Sequence, residues 1–439
     1  MKRYERYKPS GVEWIGEIPD HWGLKKFGLI SYMKGRIGWQ GLRQAEFTNE
    51  GPYLITGMNF ENGRIAWDKV YHISEERYNE APEIQIKTND VLMTKDGTIG
   101  KLLYIDYFPG PASLNSHLLV FRPHENLYHP KYLFYQLQSL PFKHFIGLNK
   151  SGTTFFGITQ DAVSRYMTIL PAYDEQMTIF RYLDRKTAQI DDIIAKKQRL
   201  IDLLNEEKTA IINQAVTKGL DPNTPMKDSG IPWLGEIPTH WEIKKIKYIA
   251  NLTLGKMLTG EDKGGNFLKP YLRAQNISWF KCDTSDVKEM WFSQSELIKY
   301  RVNLNDLLVS EGGDVGRTCI WMNELDECYI QNSVHKITFK KYFNPKYFLY
   351  LFYCFGRKGY FLSIVNQISI GHLTGEKLKE VFTIFPGFDE QTAIVDYLDR
   401  KTDQMDDVIS KTHHEIELLQ EYRTALISEA VTGKIDVRI

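Results

Sequence analysis

From Pro171 to Gly219 the apolar residues Phe180, Leu183, Ile190, Ile194, Ile201, Leu204, Ile211 and Ala215 fall on a seam of alternating three- and four-residue steps. No proline follows Pro171 and no glycine precedes Gly219 within this stretch. That heptad pattern predicts one long helix whose apolar stripe packs on another helix. At ~1.5 Å per residue, some ~45 residues make a rod of roughly 65 Å. A rod of that length needs a partner to bury its stripe. The chain supplies one between Pro386 and Lys434, with a second seam of Val395, Leu398, Met405, Ile409, Ile416, Leu419, Leu426 and Ala430. The block YLDRKT occurs in both stretches, at Tyr182 to Thr187 and at Tyr397 to Thr402. Both seams also carry polar residues at two shared steps, Lys197 with Thr412 and Lys208 with Arg423. A buried polar seam residue fixes register. A long side chain that snorkels to solvent is the blander reading, and the preferred one.

The rest of the chain is also written twice. SGVEWIGEIPDHWGLKK, from Ser10 to Lys26, returns as SGIPWLGEIPTHWEIKK, from Ser229 to Lys245. Its paired tryptophans, Trp14 with Trp233 and Trp22 with Trp241, predict an irregular segment anchored by aromatic burial. His21 and His240 read as structural histidines. NDVLMTKDGTIGK, from Asn89 to Lys101, parallels NDLLVSEGGDVGR, from Asn305 to Arg317, each a short strand running into a glycine turn. LNSHLLVF at Leu114 to Phe121 and QNSVHKITF at Gln331 to Phe339 read as strands. HPKYLFYQL and NPKYFLYLF open short aromatic helices with Pro130 and Pro345 at the first helical position. KGRIGWQGL, from Lys34 to Leu42, has only a rough counterpart in GKMLT, from Gly255 to Thr259. The expected architecture is α+β: two globular mixed units in tandem, 1–170 and 221–385, alternating with long helices at 171–220 and 386–439. The helices are expected to form an antiparallel coiled coil with a pseudo-two-fold, and the globular units to lie at its opposite ends. GLDPNTPMKDSGIP, from Gly219 to Pro232, is the join between repeats.

At 439 residues the chain has room for several domains, and 42% hydrophobic content suits packed cores. Its formal net charge is zero, unlike that of a lone nucleic-acid binder. The charge is unevenly spread, however. Residues 1–170 hold 20 Lys/Arg against 17 Asp/Glu, 221–385 hold 21 against 18, and 386–439 hold 6 against 12. Four cysteines, Cys282, Cys319, Cys328 and Cys354, form no CxxC pair, so reduced thiols are expected rather than a metal site. No apolar signal core opens the sequence and no run of ~18 apolar residues spans a membrane, which predicts a cytoplasmic protein.

Catalytic signatures are missing. GHLTGEK at Gly371 to Lys377 lacks phosphate-loop spacing, and KGRIGWQG is not a dinucleotide fingerprint. HPKY and NPKY superficially resemble the Asn/Asp-Pro-Pro-Tyr/Phe motif of amino-group DNA methyltransferases. Lys131 and Lys346 stand where the second proline belongs, and no glycine-rich cofactor strand precedes them. No nucleophile, base and oxyanion group can be assembled, so no catalysis by this chain is expected.

The repeated WIGEIP/WLGEIP–HW segments, the DGTIGK/GGDVGR turns and the P-x-x-DEQ–YLDRKT–DD helices resemble the DNA specificity subunit of Type I restriction–modification systems, over nearly the whole chain. The resemblance implies two target-recognition domains, each reading one half of a split double-stranded DNA target, and two helical regions that pack as an antiparallel coiled coil. It implies two docked methyltransferase subunits, which would carry the methyl donor S-adenosylmethionine, and restriction subunits in the full complex. Divergence between the globular units predicts an asymmetric target, and a rod between readers would set the spacing of the half-sites. Reading bases needs donors and acceptors on exposed loops. The candidates are Lys34, Arg36, Trp39, Gln40, Lys95, Asp96 and Thr98 in the first unit, and Lys256, Arg273, Gln275, Asn276, Glu311 and Arg317 in the second. The rival reading is a coiled-coil scaffold that reads no DNA; it explains the helices but not the divergence of the globular units.

Overall fold

A computed structural model of the chain describes all residues except 1, 37–41, 62, 153–155, 263, 265, 366–371 and 439. Two compact units divide it: Met1–Lys197 with His413–Ile439, and Gln198–Thr412. Helix and strand content is mixed in both.

In the first unit a four-stranded antiparallel sheet runs in the order Leu102–Tyr104, Val91–Thr94, Leu118–Pro123, Ser31–Lys34. Both faces of the sheet are covered. Val91, Met93, Leu119 and Phe121 pack with Leu133, Phe142 and Tyr166 on the helical side. Leu92, Leu118 and Val120 point the other way, into a cluster with Ile55 and Leu114. Those last two residues belong to a three-stranded sheet in which Ala112–Leu114 runs parallel to Thr48–Ile55, itself antiparallel to Tyr71–His72. Burial on both faces explains why VLMT and LLVF are continuous apolar runs rather than alternating ones.

The second unit has the same plan. Its four-stranded sheet runs Thr318–Ile320, Leu307–Ser310, Val334–Phe339, Ala250–Leu254. Leu307, Val309 and Ile337 face the aromatic helix Pro345–Arg357, while Leu308 and Val334 face Leu272 and Ile330 of the three-stranded sheet. Asn89 and Asn305 each take positive φ, at 73° and 69°, just before a buried strand. Asparagine tolerates that left-handed conformation better than most residues, which fits both ND dipeptides.

The two long helices are Tyr173–Lys218, of 46 residues, and Phe388–Val431, of 44. Each contributes a segment to both units. In the first unit Ile179, Phe180, Leu183 and Ile190 cluster with Leu426, Ile427, Ala430 and Val431. In the second, Ile212, Ala215 and Val216 share a cluster with Ile394, Val395 and Leu398. Every apolar residue of the two seams is buried or half-buried. Of the polar seam residues, Lys197, Lys208 and Arg423 keep their stems inside and their charges at the edge, whereas Thr412 is buried, its hydroxyl donating to the Val408 carbonyl at 2.7 Å. Arg423 reaches Asp191 at 2.9 Å and Lys197 reaches Glu415, both within the first unit. Lys208 meets Asp406 at 2.6 Å in the second. The partner acids are all more than half exposed, at 53%, 54% and 56%. Such pairs contribute about 0–1 kcal/mol each, so they discriminate register more than they add stability.

The repeated motifs meet at the N-terminal turn of each long helix. In the first unit Glu175 Oε2 accepts from Trp22 Nε1 at 3.0 Å and lies 3.1 Å from His21 Nε2, while its Oε1 accepts from the Tyr4 hydroxyl at 2.8 Å. In the second unit Glu390 takes the Trp241 indole at 3.2 Å and lies 2.8 Å from His240 Nε2. His21 and His240 therefore hold structural positions. Next in sequence, Gln176 Oε1 accepts from the His129 backbone N–H at 2.9 Å, and its Nε2 donates to the Pro171 carbonyl at 3.0 Å. Gln391 repeats both bonds with Asn344 and Pro386. HPKY and NPKY are helix starts, with His129 and Asn344 capping Pro130–Gln136 and Pro345–Arg357. Their Lys131 and Lys346 bind Asp184 at 2.8 Å and Asp399 at 2.6 Å, the aspartates of YLDRKT. Tyr135 donates to Asp184 and Tyr350 to Asp399, both at 2.7 Å.

All four cysteines are free and buried, and burial pushes the Cys328 thiol up to about 12 and that of Cys354 to about 11. Among the described residues no helix is long and apolar enough to cross a membrane, and no cluster of three metal-ligating side chains occurs.

Glu175 is nearly buried, with 7% side-chain exposure, whereas Glu390 is 36% exposed. Glu175→Ala leaves two buried donors unpaired and should destabilise the first unit by about 2–4 kcal/mol; Glu390→Ala should cost about 1 kcal/mol. Denaturant unfolding followed by tryptophan fluorescence checks this, and equal losses would contradict the difference in burial.

Candidate nucleic-acid interface

One end of each four-stranded sheet gathers loops from distant parts of the chain. In the first unit these leave the strands at Lys34, Thr94 and Leu118 and are joined by the turn Thr56–Asn59. Lys95 N–H donates to the His117 carbonyl at 2.9 Å, and Ile158 N–H to the Lys95 carbonyl at 2.7 Å. Gly97 and Gly100 adopt φ of 64° and 81°, so the DGTIG turn depends on glycine at both steps. In the second unit Gly313 and Gly316 take the same conformations, at 73° and 82°.

Of the first-unit candidates, Lys34 and Thr98 are exposed and Lys95 is half-buried. Asp96 Oδ1 lies 2.7 Å from His117 Nδ1. Arg36 is 2% exposed, donating from Nε to the Leu114 carbonyl at 2.9 Å and from Nη2 to the Ser113 hydroxyl at 3.1 Å. Burial lowers the pKa of that guanidinium. Arg36 thus ties the strand bearing Lys34 to the three-stranded sheet. Trp39 and Gln40 lie outside the described residues.

All the second-unit candidates but Lys256 gather at one turn, Arg273–Asn276. Asn276 is buried; its Oδ1 accepts from the Arg273 N–H at 2.9 Å, and its Nδ2 donates to the Asp283 carbonyl at 2.8 Å. Arg273 Nη2 donates to Asp286 Oδ2 at 2.9 Å, and exposed Gln275 donates from Nε2 to the same oxygen at 3.2 Å. Lys288 first and Arg273 next, each donating to it, hold the Asp286 carboxyl below its ordinary pKa. Arg317 Nη2 reaches the Ala274 carbonyl at 3.3 Å. Half-buried Glu311 hangs from Ser333, whose hydroxyl also receives the Ala274 N–H at 3.0 Å, and burial raises the Glu311 pKa. Lys256 is held by Glu296 at 2.6 Å and by the Trp291 carbonyl at 2.8 Å.

The structure therefore brings the described candidates of each unit to one loop end. It engages Arg36, Lys256, Arg273 and Asn276 inside that end and leaves Lys34, Thr98 and Gln275 facing solvent. Sequence reasoning passed over His117, Ser333 and Asp286, which orient the candidates. The repeated Asn-Ser pair at Asn115 and Asn332 was the available signal. It also passed over Met257, Leu258 and Met58, exposed at 74%, 62% and 80% on these loops. Anchored loops that project polar and apolar side chains from a sheet end can read base edges in a groove. None of the assembled groups forms a nucleophile with an adjacent base.

The family model described as Type I restriction modification DNA specificity domain matches residues 40–203 and 238–418. The MjaVIII specificity subunit of Methanocaldococcus jannaschii, a Type I restriction enzyme, is 24% identical over 438 residues, covering 96% of this chain and 94% of that protein. The EcoKI specificity subunit of Escherichia coli is 20% identical over 297 residues, covering 67% and 62%. Among solved structures, a chain from an assembly and conformational-transition study of the type I R-M system aligns with TM-score 0.65 at 16% identity, covering 95% of this chain and 99% of that one. The HsdS subunit from Thermoanaerobacter tengcongensis aligns with TM-score 0.51 at 15% identity, covering 95% and 98%.

Gln275→Ala should leave unfolding stability within about 0.5 kcal/mol of the parent. Asn276→Ala removes an acceptor and a donor from the buried turn and should cost about 1–3 kcal/mol. Chemical denaturation of the two variants side by side separates the exposed side chain from the turn's internal brace.

Proposed function

The chain belongs to the Type I restriction modification DNA specificity domain family, and on that premise we propose that it is the non-catalytic subunit that selects the DNA sequence for a restriction–modification complex. Residues 1–170 and 221–385 serve as target-recognition domains, each reading one half of an asymmetric bipartite target in double-stranded DNA. The helices of 171–220 and 386–439 form an antiparallel coiled coil that sets the half-site spacing and docks two methyltransferase subunits. Those partners bind S-adenosylmethionine and perform the transfer, restriction subunits complete the assembly, and the complex works in a prokaryotic cytoplasm.

The observation that carries this reading is a shared framework with different loop ends. The Glu–Trp–His, Gln–backbone and Lys–Asp–Tyr contacts recur in both units. At the glycine turns, Lys95 and Asp96 stand where the second unit has Glu311 and Gly312. Common joints presenting unlike side chains suit two readers of two different half-sites. Lys34, Lys95 and Thr98 contact DNA in the first unit, and Gln275 and Arg317 in the second. Asp96 and Glu311 accept from base amino groups or position their neighbours. Arg36, Lys256, Arg273 and Asn276 shape the loops that do so, and Trp39 and Gln40 extend the first reader. The near-neutral chain binds DNA weakly alone, because phosphate contacts supply much of such affinity.

Methylome sequencing of cells carrying this chain with its cognate methyltransferase should show a split, asymmetric motif that vanishes when the chain is deleted. An assembled complex with no such motif would return the protein to the scaffold reading. Inserting seven residues into each long helix adds ~10 Å, or about three base pairs of rise, and the preferred spacer should lengthen accordingly. An unchanged spacer in a folded insertion variant would refute the ruler role.

A further inference from the structure

The loop end of the first unit contains a groove of about 420 Å³ beside the DGTIG turn. Leu137, Phe142 and Ile146 make an apolar floor, Gly100 and Phe156 form part of the wall, and Lys143 and Lys150 stand on it. Lys150 Nζ sits 5.0 Å from the centroid of the half-exposed Phe156 ring. Both lysines are exposed, and among the described residues neither has an acidic partner. Among the described residues no carboxylate lines the groove. Two further exposed or half-exposed lysines, Lys95 and Lys101, flank the same turn.

Among the described residues, the second unit fills the matching place. At the step of the repeat where the first unit has Ile146, it has Phe361, buried against Gly316; a Cβ on that glycine would meet the Phe361 ring at 2.3 Å. A Cβ on Gly100 would meet nothing within 4 Å. The rim changes too. Lys150 and Lys95 are replaced at matching steps by Val365 and Glu311. Lys143 keeps a counterpart in exposed Lys358, but of the other cations around the second unit's turn Arg273 is held by Asp286 and Lys256 by Glu296.

The geometry points to this groove as a seat for the DNA sugar–phosphate backbone, present in the first unit alone, with a deoxyribose against the apolar floor and phosphates on Lys143 and Lys150. It rests on the DNA-reading role proposed above and adds to it an unequal division of labour. The first unit carries phosphate contacts that the second does not. An apolar floor beneath unpaired ammonium groups suits a strand that alternates sugar and phosphate, and the groove is continuous with the loop that bears Lys95 and Thr98. Lysine contacts to phosphate release counterions and make affinity fall with salt, whatever the sequence.

The test uses the complete complex with its methyltransferase subunits and two duplexes, one bearing the motif read out by methylome mapping and one with that motif scrambled. Fluorescence anisotropy across a salt series gives the slope of log affinity against log salt. The double variant K143Q/K150Q should reduce the magnitude of that slope by about 2 on both duplexes, at about 0.9 per phosphate contact, while the preference for the cognate duplex is kept. I146F, which places in the groove the residue the second unit uses to fill its own, should weaken both duplexes several-fold with the lysines intact. An unchanged slope in K143Q/K150Q, with the parent still preferring its motif, overturns the groove and leaves the specificity role standing. Loss of methyltransferase assembly in that variant with an unchanged slope also overturns it and assigns the groove to a protein partner. A parent complex that shows no preference between the duplexes overturns the specificity role and the groove with it.

Discussion

The structure depends on how the first turn of each long helix is fastened to its globular unit. Glu175 and Glu390 accept indole N–H groups that would otherwise be buried without partners, and an unpaired buried donor costs about 1–3 kcal/mol. Gln176 and Gln391, one residue later, satisfy a backbone donor at the start of the aromatic helix and a carbonyl at the end of the preceding strand. Two turns further on, Asp184 and Asp399 take the lysine and tyrosine of that same aromatic helix. Three successive polar side chains on one helix thus hold the N-terminal segment, the aromatic helix and the last strand in fixed relation. Each of these bonds is directional, and most lie at least partly shielded from water. A helix that rotated or slid would break several at once.

Fixing the base of each unit in this way leaves the opposite requirement to the loops. Loops at a sheet end can change residue by residue without disturbing the buried strands beneath them. Unit by unit, the strands keep the same order and the glycine turns keep the same positive φ, while the side chains on those turns differ in size and sign. The first unit exposes lysines around an open groove, and the second fills the matching place with Phe361 and pairs Arg273 and Lys256 with acids of its own. Recognition chemistry can therefore vary on a scaffold whose joints do not.

Much of this was legible from residue order. Helix length followed from the seam and from the absence of glycine and proline, and the tandem organisation followed from the doubled motifs. HPKY and NPKY were readable as helix starts because proline at the first turn has a single strong local meaning. The candidate readers were harder to place. Arg36 and Asn276 carry the donors and acceptors expected of base contacts, yet their partners, Ser113, Leu114, Asp283 and Arg273, bring them inside. A polar side chain on a loop looks the same in sequence whether it faces solvent or closes a turn.

Local and periodic properties were settled by the sequence alone: the two long helices, the aromatic helix starts, the strands flanking the glycine turns, that the architecture is repeated, and that the helices carry an apolar seam. These depend on backbone preferences and on spacing along one chain. Tertiary structure decided which glutamate receives which indole, which lysines remain unpaired, and that Phe361 fills in one unit the space Ile146 leaves open in the other. Those outcomes depend on distances between residues far apart in sequence, such as Trp22 and Glu175 or Phe361 and Gly316. Such distances are fixed only when both faces of each sheet are packed.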